Sequence, residues 1–159
     1  MTVVCHVDDI QMSHKAWFEL NKFDQYLSTI YGGEIKEHRG KIQDYLEMDS
    51  YYSEIGVVKV LMEKYLQNLL YTFPQELRGT SATLEANHMF QVRGEDGAEF
   101  LEEDWADIFH HSVKKFMFMI SRYRRYIHMV VSLLTTRSKR SDKDEWAKLK
   151  VLVYYLNGT

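Results

Sequence analysis

Cysteine and proline are almost missing from this chain of 159 residues; each occurs once, as Cys5 and Pro74. A lone cysteine excludes an intrachain disulfide and a Cys-type zinc site, and it fits a reducing compartment. Also missing are a signal peptide, a low-complexity tract and an uninterrupted apolar run of the roughly 20 residues that a membrane helix needs. These absences set the expectation of an intracellular, cytoplasmic chain with no membrane partner. Hydrophobic residues at 45% and aromatic residues at 14% exclude a disordered polymer, and the length suffices for a domain with a real core.

What is present begins with two short β-prone runs. Val3, Val4, Cys5 and Val7 make the first, Asp8-Asp9 interrupts it, and Ile10, Met12 and His14 resume it. The pattern predicts a β-hairpin over residues 1–14 with the two carboxylates at or beside its tip. Adjacent carboxylates on a rigid strand end suit a hard cation, because Mg²⁺ takes oxygen ligands, usually one or two carboxylates plus substrate phosphates. The same pair is also what an ordinary solvated turn carries.

The rest of the chain alternates between two periods. Trp17, Leu20, Phe23, Leu27, Ile30 and Tyr31 recur at helical spacing and predict an amphipathic helix over 15–31, with Ser13 as N-cap, Gly32-Gly33 as stop and the aromatic stripe in the core. Residues 34–60 read as strands, around a polar turn at Arg39-Gly40 and a second turn at Gly56. Met62, Tyr65, Leu66, Leu69, Leu70 and Phe73 mark a helix that Pro74 ends. Residues 74–100 read mainly as loop, with His88-Met-Phe90 as an anchor. A long helix follows from Leu101 to Tyr123, with acids at 102–104 at the positive end of its dipole and Trp105, Ile108, Phe109, Val113, Phe116 and Ile120 on its inner face. His110 and His111 point about 100° apart on such a helix and cannot readily clamp one metal. Ile127, Val130, Val131 and Leu134 continue as a buried helix, and Thr135 to Arg140 read as a basic turn. Asp142, with Glu145 three residues later, caps a last helix; Trp146, Leu149, Val153 and Leu156 form its inner face and Asn157-Gly158 its end.

A net charge of −3 hides an asymmetry. Residues 114–159 hold eleven Lys and Arg against three Asp and Glu, about +8, which leaves about −11 for the remainder. Such a basic segment attracts polyanions locally without a high isoelectric point. Ser121-Arg-Tyr-Arg-Arg-Tyr-Ile127 interleaves three arginines with two tyrosines, a composition that grips phosphates and stacks on bases, and equally one that suits a basic helix terminus.

Four segments carry a resemblance to one family. His6-Val-Asp-Asp9 resembles the Tyr-Val-Asp-Asp box of reverse transcriptases. Asp44-Tyr-Leu-Glu-Met48 looks like the Tyr-Leu-Gly-Met strand that follows the box in copia-type retrotransposons. Met62 to Phe73 is similar to the family's Gln-x-x-Tyr-x-x-x-Leu-Leu-x-x-Phe helix, and Tyr154-Tyr-Leu-Asn-Gly-Thr159 resembles the Tyr-Leu-Lys-Gly-Thr that closes its polymerase region. The four occur in the family's order across most of the chain. Departures fall at His6 (tyrosine in the family), Glu47 (glycine), Lys114 (glycine of a thumb helix) and Arg125-Tyr126 (a Pro-Asp pair).

The resemblance implies an α+β chain: a partial polymerase palm at 1–60, then a helical thumb and connection region at 61–159. It implies two-metal nucleotidyl transfer in the intact RNA-directed DNA polymerase, with Asp8 and Asp9 as catalytic metal ligands and Mg²⁺, or Mn²⁺, as cofactor. His6, Tyr45 and Leu46 then position the primer, and Lys114, Lys115, Arg122, Arg124 and Arg125 contact nucleic acid. The implied partners are a primer–template of RNA or DNA, dNTPs, and a polymerase region lying before Met1 that supplies the fingers and a third aspartate. Without that region the chain is expected not to extend a primer alone, and its exposed palm edge is expected to favour self-association. The readings of a different class are a non-catalytic nucleic-acid-binding remnant and a helical interaction module.

Overall fold

Strand and helix segregate along the chain, as the change of period at residue 62 demands. The computed structural model describes residues 1–33, 35–74, 79–84, 88–92, 94 and 97–159. Strands β1 (Thr2–His6), β2 (Asp9–Ser13), β3 (Ile42–Tyr45), β4 (Met48–Glu54) and β5 (Val57–Leu61) precede all but one of the helices, α1 (Trp17–Tyr31). Helices α2 (Glu63–Tyr71), α3 (Glu103–Arg122), α4 (His128–Arg137) and α5 (Lys143–Asn157) follow. The fold is α+β, with two small antiparallel sheets, β1-β2 and β3-β4-β5. No helix among the described residues is long and apolar enough to cross a membrane. The chain divides into two units, Met1–Met62 and Glu63–Thr159.

In the first unit the hairpin forms in the register Thr2↔Ser13 through His6↔Asp9. Ser13 is therefore the last residue of β2 and does not cap α1 as expected; the extended residue before the helix is Ala16, whose N–H donates to His14 Nδ1 at 3.1 Å. Gly32, at φ +62°, stops α1 in the left-handed conformation that glycine accepts without strain. Residues 35–41 add no strand before β3. Arg39 reaches α1 instead, donating to Asn21 Oδ1 at 2.7 Å and Asp24 Oδ2 at 2.6 Å and pairing with Glu37. The segment Asp44 to Met48, expected as one strand, is a tight loop at Leu46-Glu47 between β3 and β4. Gly56, at φ +80°, turns β4 into β5 as the sequence predicts.

The aromatic stripe of α1 is not a core. Of its six residues only Leu27 is buried; Trp17 is 63% exposed and Tyr31 74%. Helical spacing identifies an apolar face but carries no information on whether another surface covers it.

In the second unit the helices do share a core. Leu66, Leu69 and Phe73 are buried, as are Phe109, Val113, Phe116 and Ile120 of α3, and the Phe73 and Phe116 rings stack at 6.3 Å. Ile127, Val130, Val131 and Leu134 are buried around α4, and Leu149, Leu152, Val153 and Leu156 around α5. Trp105 and Trp146, both expected inside, meet edge to face at 5.1 Å near the rim. Within 74–100, Met89 is the buried anchor while Phe90 is exposed. Residues 79–81 lie on the end of α5: Ser81 N–H donates to Tyr154 O at 3.0 Å, and at Gly79 a Cβ would come within 2.7 Å of the Tyr154 ring. The expected basic turn from Thr135 begins later, because α4 runs on to Arg137. Asp142 caps α5, its Oδ1 accepting from the N–H groups of Asp144 at 2.8 Å and Glu145 at 3.0 Å.

Candidate functional site

The hairpin tip follows from its two-residue loop, Val7-Asp8. Val7 holds φ +53° and Asp8 does not share the positive sign, which is the sign pattern of a type II′ loop. Asp9 is the first ladder residue of β2 and faces His6 across the strands. Asp8 and Asp9 are thus neighbours in sequence at a rigid strand end, and both are exposed.

Asp8 and Asp9 both line an open cleft of about 1080 Å³ in the first unit. Trp17 and Leu27 of α1 and Asp44 and Tyr45 of β3 contribute to its walls. Arg39 lies 5.5 Å over the Trp17 ring and, through Asp24, fastens the 35–41 segment to α1. Of the residues expected to position a primer, Tyr45 lines this cleft with Asp8 and Asp9. His6 and Leu46 are not among its lining residues. Leu46 and Glu47 form the β3–β4 loop at φ +54° and +63°, so Glu47 occupies a left-handed site where glycine is the unstrained choice.

The donor set for a metal at the tip is the two adjacent carboxylates. Among the described residues no group of three or more His, Cys, Asp and Glu side chains stands together in a way that could hold an ion. Two carboxylates fit a Mg²⁺ that takes its other oxygens from water and phosphates, which is how Mg²⁺ is commonly held.

The basic residues divide by what they already bond. Lys114 and Lys115 are exposed on α3, and Arg125 is exposed at the start of a single 3₁₀ turn, Arg125–Ile127. Arg122 folds back on its own helix, donating to Phe118 O at 3.3 Å and Ser121 Oγ at 2.9 Å, with its guanidinium 3.8 Å over the Phe118 ring. Arg124 donates from Nη1 to Tyr126 Oη at 2.7 Å and Thr159 Oγ1 at 2.8 Å. The structure therefore separates the five expected nucleic-acid contacts into three solvent-facing cations and two internal ties. Elsewhere in the basic segment Lys143 pairs with Glu99, whose carboxyl it holds below the usual range, and Lys148 is fully buried.

Sequence reading missed two side-chain groups. One is Arg39 with Asn21, Asp24 and Glu37, for which no local spacing exists, since the partners on α1 are 15 and 18 residues away. The other is Lys148 with Asp144 and Glu145, at 2.9 and 3.7 Å. Its i,i+3 and i,i+4 spacing was there to be read, but the same spacing is ordinary on solvated helix faces. No protein-family model, curated protein or solved structure matches the chain.

Proposed function

We propose that this chain is the palm-and-thumb part of an RNA-directed DNA polymerase of the copia retrotransposon type, with Asp8 and Asp9 as its share of the metal site. The observation that carries the reading is the hairpin. The His-Val-Asp-Asp sequence lies across a tight two-residue loop, and Asp8 and Asp9 line one cleft with Tyr45. When bound, Mg²⁺ supplies activation of a primer 3′-hydroxyl and neutralisation of a triphosphate. The chain's own contribution is to hold Asp9 on the hydrogen-bonded ladder and Asp8 in the tight loop beside it, and to set an aromatic wall in the same cleft. Lys114, Lys115 and Arg125 then serve as phosphate contacts, while Arg122 and Arg124 keep the α3 terminus and the 3₁₀ turn in shape.

The test is binding of a duplex primer–template together with Mn²⁺ as a spectroscopic probe. Nitrocellulose filter binding is expected to weaken with salt at a log–log slope near −3, as about three phosphate contacts require. Lys114→Ala is expected to remove about one unit of that slope. Electron paramagnetic resonance is expected to show Mn²⁺ taken up by the chain and released in the Asp8→Asn/Asp9→Asn variant. If Mn²⁺ uptake is the same in that variant, the hairpin is an ordinary solvated turn. Salt-dependent binding without Mn²⁺ uptake would instead mark the non-catalytic nucleic-acid-binding reading, which the exposed lysines of α3 favour. Transcript sequence upstream of Met1 encoding fingers and a further aspartate-bearing strand is the complementary expectation.

A further inference from the structure

Glu145 stands in a place that nothing in the polymerase reading uses. It is the third residue of α5 and only 4% exposed. Two cations approach its Oε1 without reaching hydrogen-bonding distance: Lys148 Nζ at 3.7 Å and Arg137 Nε, from α4, at 3.9 Å. Lys148 is committed elsewhere, donating to Gln91 O at 2.6 Å and pairing with Asp144 at 2.9 Å. The other oxygen, Oε2, is buried with no hydrogen-bond partner. Glu145 also borders a small, partly open pocket of about 20 Å³ that it shares with Arg137, Arg140 and Asp142. Among the described residues the charged groups facing it are Arg137 from α4, Arg140 from the connection, and Asp142, Asp144 and Lys148 from α5 and its cap.

A carboxylate so placed loses its hydration and gains no full hydrogen bond in return, with two further carboxylates on its own helix end. We infer that Glu145 is a proton-uptake site, at which folding of the Glu63–Thr159 unit captures a proton from solvent and so becomes pH-dependent. Burial, the largest cause, pushes its carboxyl above the ordinary value of 4.5, against the pull of Lys148. The sign follows: a carboxyl raised in the fold favours folding fully below about 4.5, and that contribution is lost as pH rises through the folded value. The helical unit is stabilised in acid and loses that contribution as pH rises through the folded value.

Two measurements on the full chain test this. The side-chain carboxyl ¹³C shift of Glu145, followed by NMR in the folded protein, is expected to titrate above 4.5. Urea midpoints read from the methyl signals of Leu149, Leu152 and Val153 report the helical unit alone. Glu145→Gln is expected to exceed the parent at pH 7, with the difference closing toward pH 4. The pocket has room for one water, and a water donating to the carboxylate would favour its ionised form. A Glu145 carboxyl that titrates at or below 4.5 would therefore overturn the inference, whether or not the Gln variant folds.

Discussion

Val7 and Glu47 each hold a left-handed backbone with a side chain that disfavours it. Both close two-residue loops, and the cost of the left-handed form for an L-residue is about 1–2 kcal/mol. Glycine removes that cost and returns part of it through a freer unfolded chain, about 0.4–1 kcal/mol. Val7→Gly and Glu47→Gly are each expected to stabilise the first unit by about 0.5–1 kcal/mol, read as higher urea midpoints at the methyl signals of Val4 and Leu27. A loss of stability at either site would show that the side chain holds the loop. At this scale the sequence was not readable. Glu47 gave no sign of its φ of +63°, because Asp44 to Met48 reads as one strand and the residue present is not glycine. Val7 likewise gave no signal, because a β-branched residue beside two aspartates reads as strand.

Among the elements, α5 shows most plainly what local spacing reveals and what it hides. Asp142 caps the helix by accepting two backbone N–H bonds, as its position before an acidic first turn predicts. Glu145 was expected to complete a reciprocal cap. It turns inward toward Lys148 and Arg137 instead, and no spacing rule decides between those two fates. Asp142→Ala is expected to cost about 1 kcal/mol of stability in the helical unit, with Asp142→Asn near neutral, in thermal melts followed at 222 nm. Equal losses in both would show that charge rather than the cap bond matters. The failed cap at Ser13 has the opposite cause: its backbone belongs to the β1–β2 ladder, so a good capping residue was already spent on a strand. Hairpin, turn and helix positions were otherwise readable from period, glycine and proline. Arg39 was not, because its partners are distant in sequence.

Across the whole molecule the buried apolar side chains are shared unequally. Apart from Met62 at its boundary, Met1–Met62 buries one large hydrophobic residue, Leu27, whereas α2 to α5 bury nearly all the others. Periodicity foretold an inner face for α1 as firmly as for α3, and only the fold distinguishes them, since a stripe becomes a core only when something packs on it. The inequality has a calorimetric consequence. The heat capacity gained on unfolding comes from apolar surface newly wetted, about 12–15 cal/mol/K per residue in an ordinary domain. Here the first unit has little dry surface to wet. Differential scanning calorimetry is expected to give about 1.3 kcal/mol/K, the value for roughly 100 residues and not the roughly 2 kcal/mol/K that the full length would give. The strand-rich unit, having so small a heat-capacity change of its own, would have a stability curve that is shallow with temperature and loses little on cooling.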